Sequence, residues 1–171
     1  MSAASHGMLW RVTADIEMPE GAASGVFIAQ GGAFGGWSLY LIDSVPTYCY
    51  NLFGVTRTVV RGSGPVPPGH HQVRAEFAYG GGLGGPATVS LFVDGDQVAE
   101  GHLERTVPLV YSYDETTDVG SDSGSTVSEE YDEATSRFPG TVNWVQIDVG
   151  AEDADHLISP DERWRVSMAR Q

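Results

Sequence analysis

Glycine, proline and Asp-Gly pairs interrupt this chain at intervals of roughly 8 to 12 residues, and between them lie short runs rich in β-branched and aromatic residues. That rhythm is too short for long helices and predicts antiparallel strands joined by tight turns. The cleanest run spans residues 9–18. Trp10, Val12, Ala14, Ile16 and Met18 alternate with Arg11, Thr13, Asp15 and Glu17. A period of two with the polar set on one side means a strand with one buried and one wet face. The same pattern returns from His71 to Tyr79, and Asp94-Gly95 between two apolar runs is a type I′ hairpin signal. Val107–Tyr113 reads as a further strand. So does Thr141–Val149, with Val142 and Trp144 inward and, after a slip, Ile147 and Val149. Only the C-terminus looks helical, where Ser159-Pro160-Asp161-Glu162 forms a capping box ahead of Trp164, Val166 and Met168.

These segments predict an all-β fold, an antiparallel β-sandwich of jelly-roll or concanavalin-like type, with a short C-terminal helix. A length of 171 residues suits one domain. Its core is expected over about residues 8–149, followed by an acidic linker and the helix over residues 150–171.

The most distinctive stretch runs from Ile28 to Gly54. Two glycine pairs, Gly31-Gly32 and Gly35-Gly36, bracket Phe34 and lead into Trp37, and a second aromatic run holds Tyr48, Cys49 and Tyr50. Glycines placed this way mark positive φ or a close approach of backbones. Two readings of the aromatics Trp37, Tyr40, Tyr48 and Tyr50 follow. They form a hairpin in a sandwich core, or they line a ligand groove as stacking platforms. Exposure separates the two, since core aromatics are buried and a binding row is not.

Charge narrows the partners. Nine basic residues, all arginine, stand against 23 acidic ones, for a net charge of −14. Residues 94–171 alone hold 18 acidic and five basic side chains, a net −13. Such a field repels phosphate backbones, so nucleic acid is not an expected partner. No apolar stretch approaches the roughly 18 to 20 residues of a membrane helix, and no signal peptide is visible, so a cytoplasmic protein with no membrane partner is expected. The single cysteine, Cys49, excludes an internal disulfide and a multi-cysteine zinc site, and its apolar neighbours favour an inert thiol.

The second half also holds the best metal candidate. Asp114, Glu115, Asp118 and Asp122, with hydroxyls and glycines between them, offer the hard oxygen ligands calcium prefers. The spacing departs from the EF-hand pattern, and the competing reading is a solvated acidic loop. The acids cluster in one loop instead of alternating along a strand, which disfavours a glycosidase pair. His70 and His71 are neighbours that point to opposite faces of a strand, poor geometry for one metal.

Several stretches together resemble the C-terminal domain of the long bacterial arylsulfatases. They are Thr13–Gly21, Gly25–Gly32, Phe34–Tyr40, Tyr50-Asn51, Phe77–Gly84, Glu104–Thr106, Asp114–Gly120, Arg137-Phe138 and Gly140. In that family the segment looks like a β-sandwich appended to an alkaline-phosphatase-like catalytic core. The family's formylglycine motif, Cys/Ser-x-Pro/Ala-x-Arg, is missing, because Tyr50-Asn51-Leu52 follows Cys49. The resemblance therefore carries over no catalytic residue. It implies a non-catalytic accessory module that packs against a sulfatase-type catalytic chain or forms a homo-oligomer. The alternative is a module binding a carbohydrate or a small aromatic or sulfated ligand, using Trp37, Tyr40, Tyr48 and Tyr50. A charge of −14 opposes sulfated polyanions.

Overall fold

A computed structural model describes residues 9–80, 84–106 and 117–149. Ten strands run through them: β1 (Leu9–Met18), β2 (Gly25–Gly32), β3 (Gly35–Ile42), β4 (Val45–Leu52), β5 (Thr56–Arg61), β6 (Gly69–Tyr79), β7 (Ala87–Val93), β8 (Asp96–Leu103), β9 (Thr117–Val119) and β10 (Thr141–Val149). They form two five-stranded sheets, ordered β10-β1-β6-β7-β8 and β5-β4-β3-β2-β9. Every strand pair is antiparallel. The fold is an all-β, jelly-roll-like sandwich, as the turn rhythm predicts. The expected strand Val107–Tyr113 and the expected C-terminal helix both lie outside the described residues. No helix among the described residues is long and apolar enough to cross a membrane.

The alternation of β1 becomes the core of the first sheet. Val12, Ala14 and Ile16 are fully buried and lie opposite Ala75, Val73 and His71 of β6. From the second sheet Trp37, Leu39 and Leu41 of β3 and Tyr48 and Tyr50 of β4 meet them. Trp10 bridges the sheets, its ring 5.1 Å from Trp37 and 5.2 Å from Phe77. Separations of this size, with offset or tilted planes, suit aromatic packing.

Gly31 and Gly36 face each other across the β2–β3 hairpin. A Cβ on Gly31, whose φ is 86°, would collide with the Gly35 carbonyl, and one on Gly36 would collide with that of Gln30. The glycine pairs thus exist because two backbones approach too closely for side chains.

β10 departs from the expected register. Asp15 pairs Trp144 but Ile16 pairs Val142, so Asn143 is an extra residue, a β-bulge. The slip comes before Trp144 and not after it. Val142 and Val145 pack on the core, and Trp144 instead shares the face of Asp15. Ile147 and Val149 fall opposite Val12 and Trp10, at inward register positions as expected, Ile147 being 49% exposed on this edge strand.

The outer face of the second sheet is also buried. Val26, Ala29, Tyr40 and Cys49 lie beneath Val127 and Tyr131, which come from the segment between β9 and β10. This acidic segment is a strap and not a loose solvated loop. Its ends are fixed by Gly120 N–H donating to Phe27 O and Val26 N–H donating to Ser136 O. At its centre Asp122, 1% exposed, accepts hydrogen bonds from Val127 N–H (3.0 Å) and the Tyr131 hydroxyl (2.5 Å). Tyr131 also sits 2.9 Å from the Ser38 hydroxyl. Burial, then the Asp122 hydrogen bond, raises the Tyr131 pKa, and burial pushes the Cys49 thiol up to about 11. Cys49 is therefore a protonated, unreactive packing residue near neutral pH.

Asp122→Ala leaves two buried donors without that acceptor. Equilibrium urea unfolding is expected to show a loss of about 3 kcal/mol.

Candidate functional site

The structure places the four aromatic candidates in the interior. Trp37, Tyr40, Tyr48 and Tyr50 are 2%, 0%, 0% and 3% exposed, so none of them is a stacking platform for a ligand. Trp37, Tyr48 and Tyr50 fall on the strand positions that face the first sheet, and Tyr40 on the opposite face, beneath the strap. The Trp37 indole N–H donates to Gln30 Oε1 at 3.0 Å, which satisfies its one donor.

The acidic candidates are not gathered either. Asp114 and Glu115 lie outside the described residues. The Asp118 carboxylate accepts from Ser123 N–H and the Ser123 hydroxyl, both at 2.8 Å, and Asp122 is held inside the strap. Among the described residues no group of three or more His, Cys, Asp or Glu side chains is placed to hold a metal ion. His70 and His71 point to opposite faces, as expected, His70 to Asp15 (2.8 Å) and His71 to Asp94 (2.6 Å).

The exposed aromatic surface lies elsewhere, on two adjoining turns at one end of the second sheet. The β2–β3 turn carries Phe34 and the β4–β5 turn carries Phe53 and Val55. Their exposures are 79%, 55% and 86%. Asn51, wholly buried, locks the turns together. Its Nδ2 donates to Gly32 O at 2.7 Å, and its Oδ1 accepts from Gly54 N–H at 2.8 Å. Gly54 is pressed against the Ala33 carbonyl, leaving no room for a Cβ.

Phe53 has φ of 53°, a left-handed backbone that costs an aromatic residue about 1–3 kcal/mol. The exposed ring offsets little of that cost through packing. The Asn51–Gly54 hydrogen bond closes the turn that holds this backbone, and the Phe53 side chain is left exposed to solvent.

Polar groups flank this apolar tip. Arg57 donates through Nε to Val127 O (2.9 Å), through one terminal nitrogen to Glu129 (3.1 Å) and through the other towards Ala33 O (3.5 Å). The Glu129 carboxylate is 79% exposed. Ser125 accepts from Ala33 N–H, so the strap braces the tip from its other side. Two aromatics, an aliphatic side chain, a guanidinium and a carboxylate thus share one rigid, solvent-facing end. Phe34 and Phe53 lie outside the aromatic-dense runs, so aromatic density does not single them out as candidates. The available signal was a repeated Phe-Gly pair, Phe34-Gly35 and Phe53-Gly54, each in a turn where no core position exists to bury a ring.

A second polar surface covers the outer face of the first sheet. Cross-strand register builds one row from Asp148, Arg11, Glu76, Ser90 and Glu100 and a second from Gln146, Thr13, Arg74, Phe92 and Gln97. Arg74 Nε donates to the Thr13 hydroxyl at 2.9 Å. Arg11, Asp15, Arg74 and Glu76 are each at most 7% exposed, so these charges are withdrawn from solvent. They do not form an open site.

No family model matches this sequence, and no curated protein matches it. Solved structures do. The chain is similar to the CBM40 of the Ruminococcus gnavus IT-sialidase, at 14% identity and a TM-score of 0.54 over 85% of this chain and 78% of that one. It is also similar to a heptameric SAP-like pentraxin from Limulus polyphemus, at 12% identity and a TM-score of 0.49 over 86% of this chain and 71% of that one. A third likeness, to the botulinum neurotoxin type G receptor binding domain, has 7% identity and a TM-score of 0.43. It covers 95% of this chain and 38% of that one. None of the three is a sulfatase. The first likeness corroborates the sandwich fold, and identity this low speaks to fold alone.

Two outcomes test the geometry. Asn51→Ala leaves Gly32 O and Gly54 N–H without this partner and is expected to cost about 1–3 kcal/mol, with amide exchange in both turns rising more than in β1. His70 tests the Asp15 contact, whose hydrogen bond raises the His70 pKa above 6.5. The contribution is therefore full below pH 6.5 and disappears as pH rises through the raised value. A melting-temperature series across that window should fall more steeply for the wild type than for His70→Gln.

Proposed function

We propose that this chain is a non-catalytic carbohydrate-binding module that takes a sugar at the paired hairpin tips. The observation that carries the reading is the exposure of Phe34 and Phe53 on two turns that Asn51 locks side by side. A pyranose ring presents one apolar C–H face, which an exposed aromatic ring can cover, and hydroxyls around its rim. Arg57 and Glu129 beside the tip are planar polar groups suited to pairing with such hydroxyls. Locking the tips beforehand lowers the entropy lost on binding. The fold, shared with a sialidase CBM40, supports a binding role. The net charge of −14 favours neutral sugars over sulfated or other anionic ones.

A second reading draws on the burial of Trp37 and Tyr50. As a non-catalytic accessory domain of the arylsulfatase type, the chain would use Phe34, Phe53 and Val55 to pack against a catalytic chain or a second copy. Burying such apolar side chains is the usual fate of an exposed patch at an interface.

One set of variants separates the readings. Glycan-array screening followed by calorimetry is expected to find a neutral saccharide whose affinity falls about tenfold, or 1.4 kcal/mol, in Phe34→Ala and in Phe53→Ala. Val59→Ala, exposed elsewhere on β5, should bind as the wild type does. No glycan binding, together with a dimer in sedimentation that Phe34→Ala dissociates, would replace the first reading with the second.

A further inference from the structure

At the end of the sandwich opposite the hairpin tips, the loop after β5 and the β7–β8 turn enclose a cleft of about 290 Å³. Its rim is fixed by backbone bonds. Ser63 N–H donates to Val98 O (3.1 Å), Val66 N–H to Ser44 O (2.8 Å) and Asp94 N–H to Gln72 O (2.9 Å). Asp94 closes the turn further by accepting from Gln72 N–H through Oδ1 at 2.8 Å. The cleft is therefore preformed, as small-molecule sites usually are.

Its walls combine two kinds of surface. Pro65, Val66, Pro67, Val93 and Val98 are apolar, whereas His71, Asp94 and Asp96 are polar, and no arginine is among the described residues that line it. The His71 ring is oriented by its Nδ1 contact with Asp94 Oδ2 at 2.6 Å. A carboxylate only accepts, so Nδ1 carries a proton in this contact. The Nε2 of the ring is buried and has no hydrogen-bond partner. The wall thus sets the carboxylates of Asp94 and Asp96 beside an aliphatic surface, in a protein whose field already attracts cations.

We infer that this cleft is a second binding site, for an aliphatic amine whose ammonium pairs with Asp96 while its methylene stem lies along Val66, Val93 and Val98. Other ligand classes fit less well. Among the described lining residues an anion meets two carboxylates and no arginine, and a sugar finds no Phe, Tyr or Trp ring. A divalent cation fits less well because no group of three or more His, Cys, Asp or Glu side chains among the described residues is placed to hold one. The site is independent of the saccharide reading, since it shares no residue with the tips.

Titration of the ¹⁵N-labelled full chain with n-pentylamine tests it, with n-pentanol and pentanoate as comparisons. Saturable shifts of the Val66, Val93 and Val98 amides are expected with the amine, weaker ones with the alcohol and none with the carboxylate. The Asp96 side chain is exposed and makes none of the hydrogen bonds that fix the rim above, so Asp96→Asn should leave the fold intact. It should weaken the amine about fivefold, the scale of a partly exposed ion pair, and leave the alcohol unchanged. Equal shifts from amine and alcohol, or an Asp96→Asn variant that binds the amine normally, would overturn the inference. Shifts of the same residues by a Gly-Lys-Gly peptide at lower concentration would identify the natural source as a lysine side chain. A response to pentylamine alone would identify a free amine.

Discussion

Strands β3 and β4 are buried on both faces, and most of the remaining architecture answers that requirement. One face meets the first sheet through Trp37, Leu39, Tyr48 and Tyr50. The other carries Tyr40, Cys49 and Ser38, two of them polar, and needs a cover that is apolar and can also bond their hydroxyls. Val127 supplies the apolar contact. Tyr131, Ser128 and Glu130 supply the partners, with the Tyr40 hydroxyl donating to Glu130 at 2.7 Å. A buried hydroxyl without a partner costs more than a made hydrogen bond returns, so the cover had to be a hydrogen-bonding segment. Arg57 and Arg61 on edge strand β5 then pair with Glu129 and Glu130 and hold the strap at its free side.

Four of the acidic side chains of the second half have local structural roles. Asp122, Glu129 and Glu130 serve structural contacts with tyrosines and arginines, and Asp118 caps the turn before the strap. The strap and the hairpin tips are also one mechanical unit. Arg57 touches both Val127 and Ala33, and Ser125 accepts from Ala33, so the aromatic tip stands on a braced base.

Legibility in the sequence follows burial pattern. β1 was readable because one of its faces is apolar and the other charged, and β7–β8 because Asp94-Gly95 fits a turn needing left-handed backbone. β3 and β4 were readable as strands, but their two-sided burial removes alternation, and with it the evidence for which face an aromatic takes. The strap was not readable, since Val127 and Tyr131 stand isolated among serines and acids with no period to follow. Trp144 misled for a related reason. A large apolar residue near a slip attracts an inward assignment, whereas the bulge at Asn143 re-aims it towards Asp15. The tips were hidden because exposure in a turn is set by what a neighbouring turn does, and that partnership is made by one asparagine nineteen residues from the glycine it bonds.

The bulged pairing of β1 with β10 also governs time. β1 is an inner strand of the first sheet, yet one of its neighbours is the last strand described, and the Asn143–Asp15 hydrogen bond spans 128 residues. During synthesis β1 must therefore wait, half-paired, until nearly the whole domain has left the ribosome. Loop closure over such distances slows folding and lengthens the life of open edges. The polar side of β1 carries Arg11, Asp15 and Glu17, and although the finished fold buries the first two, before β10 pairs their charges discourage a stray strand from joining the open edge.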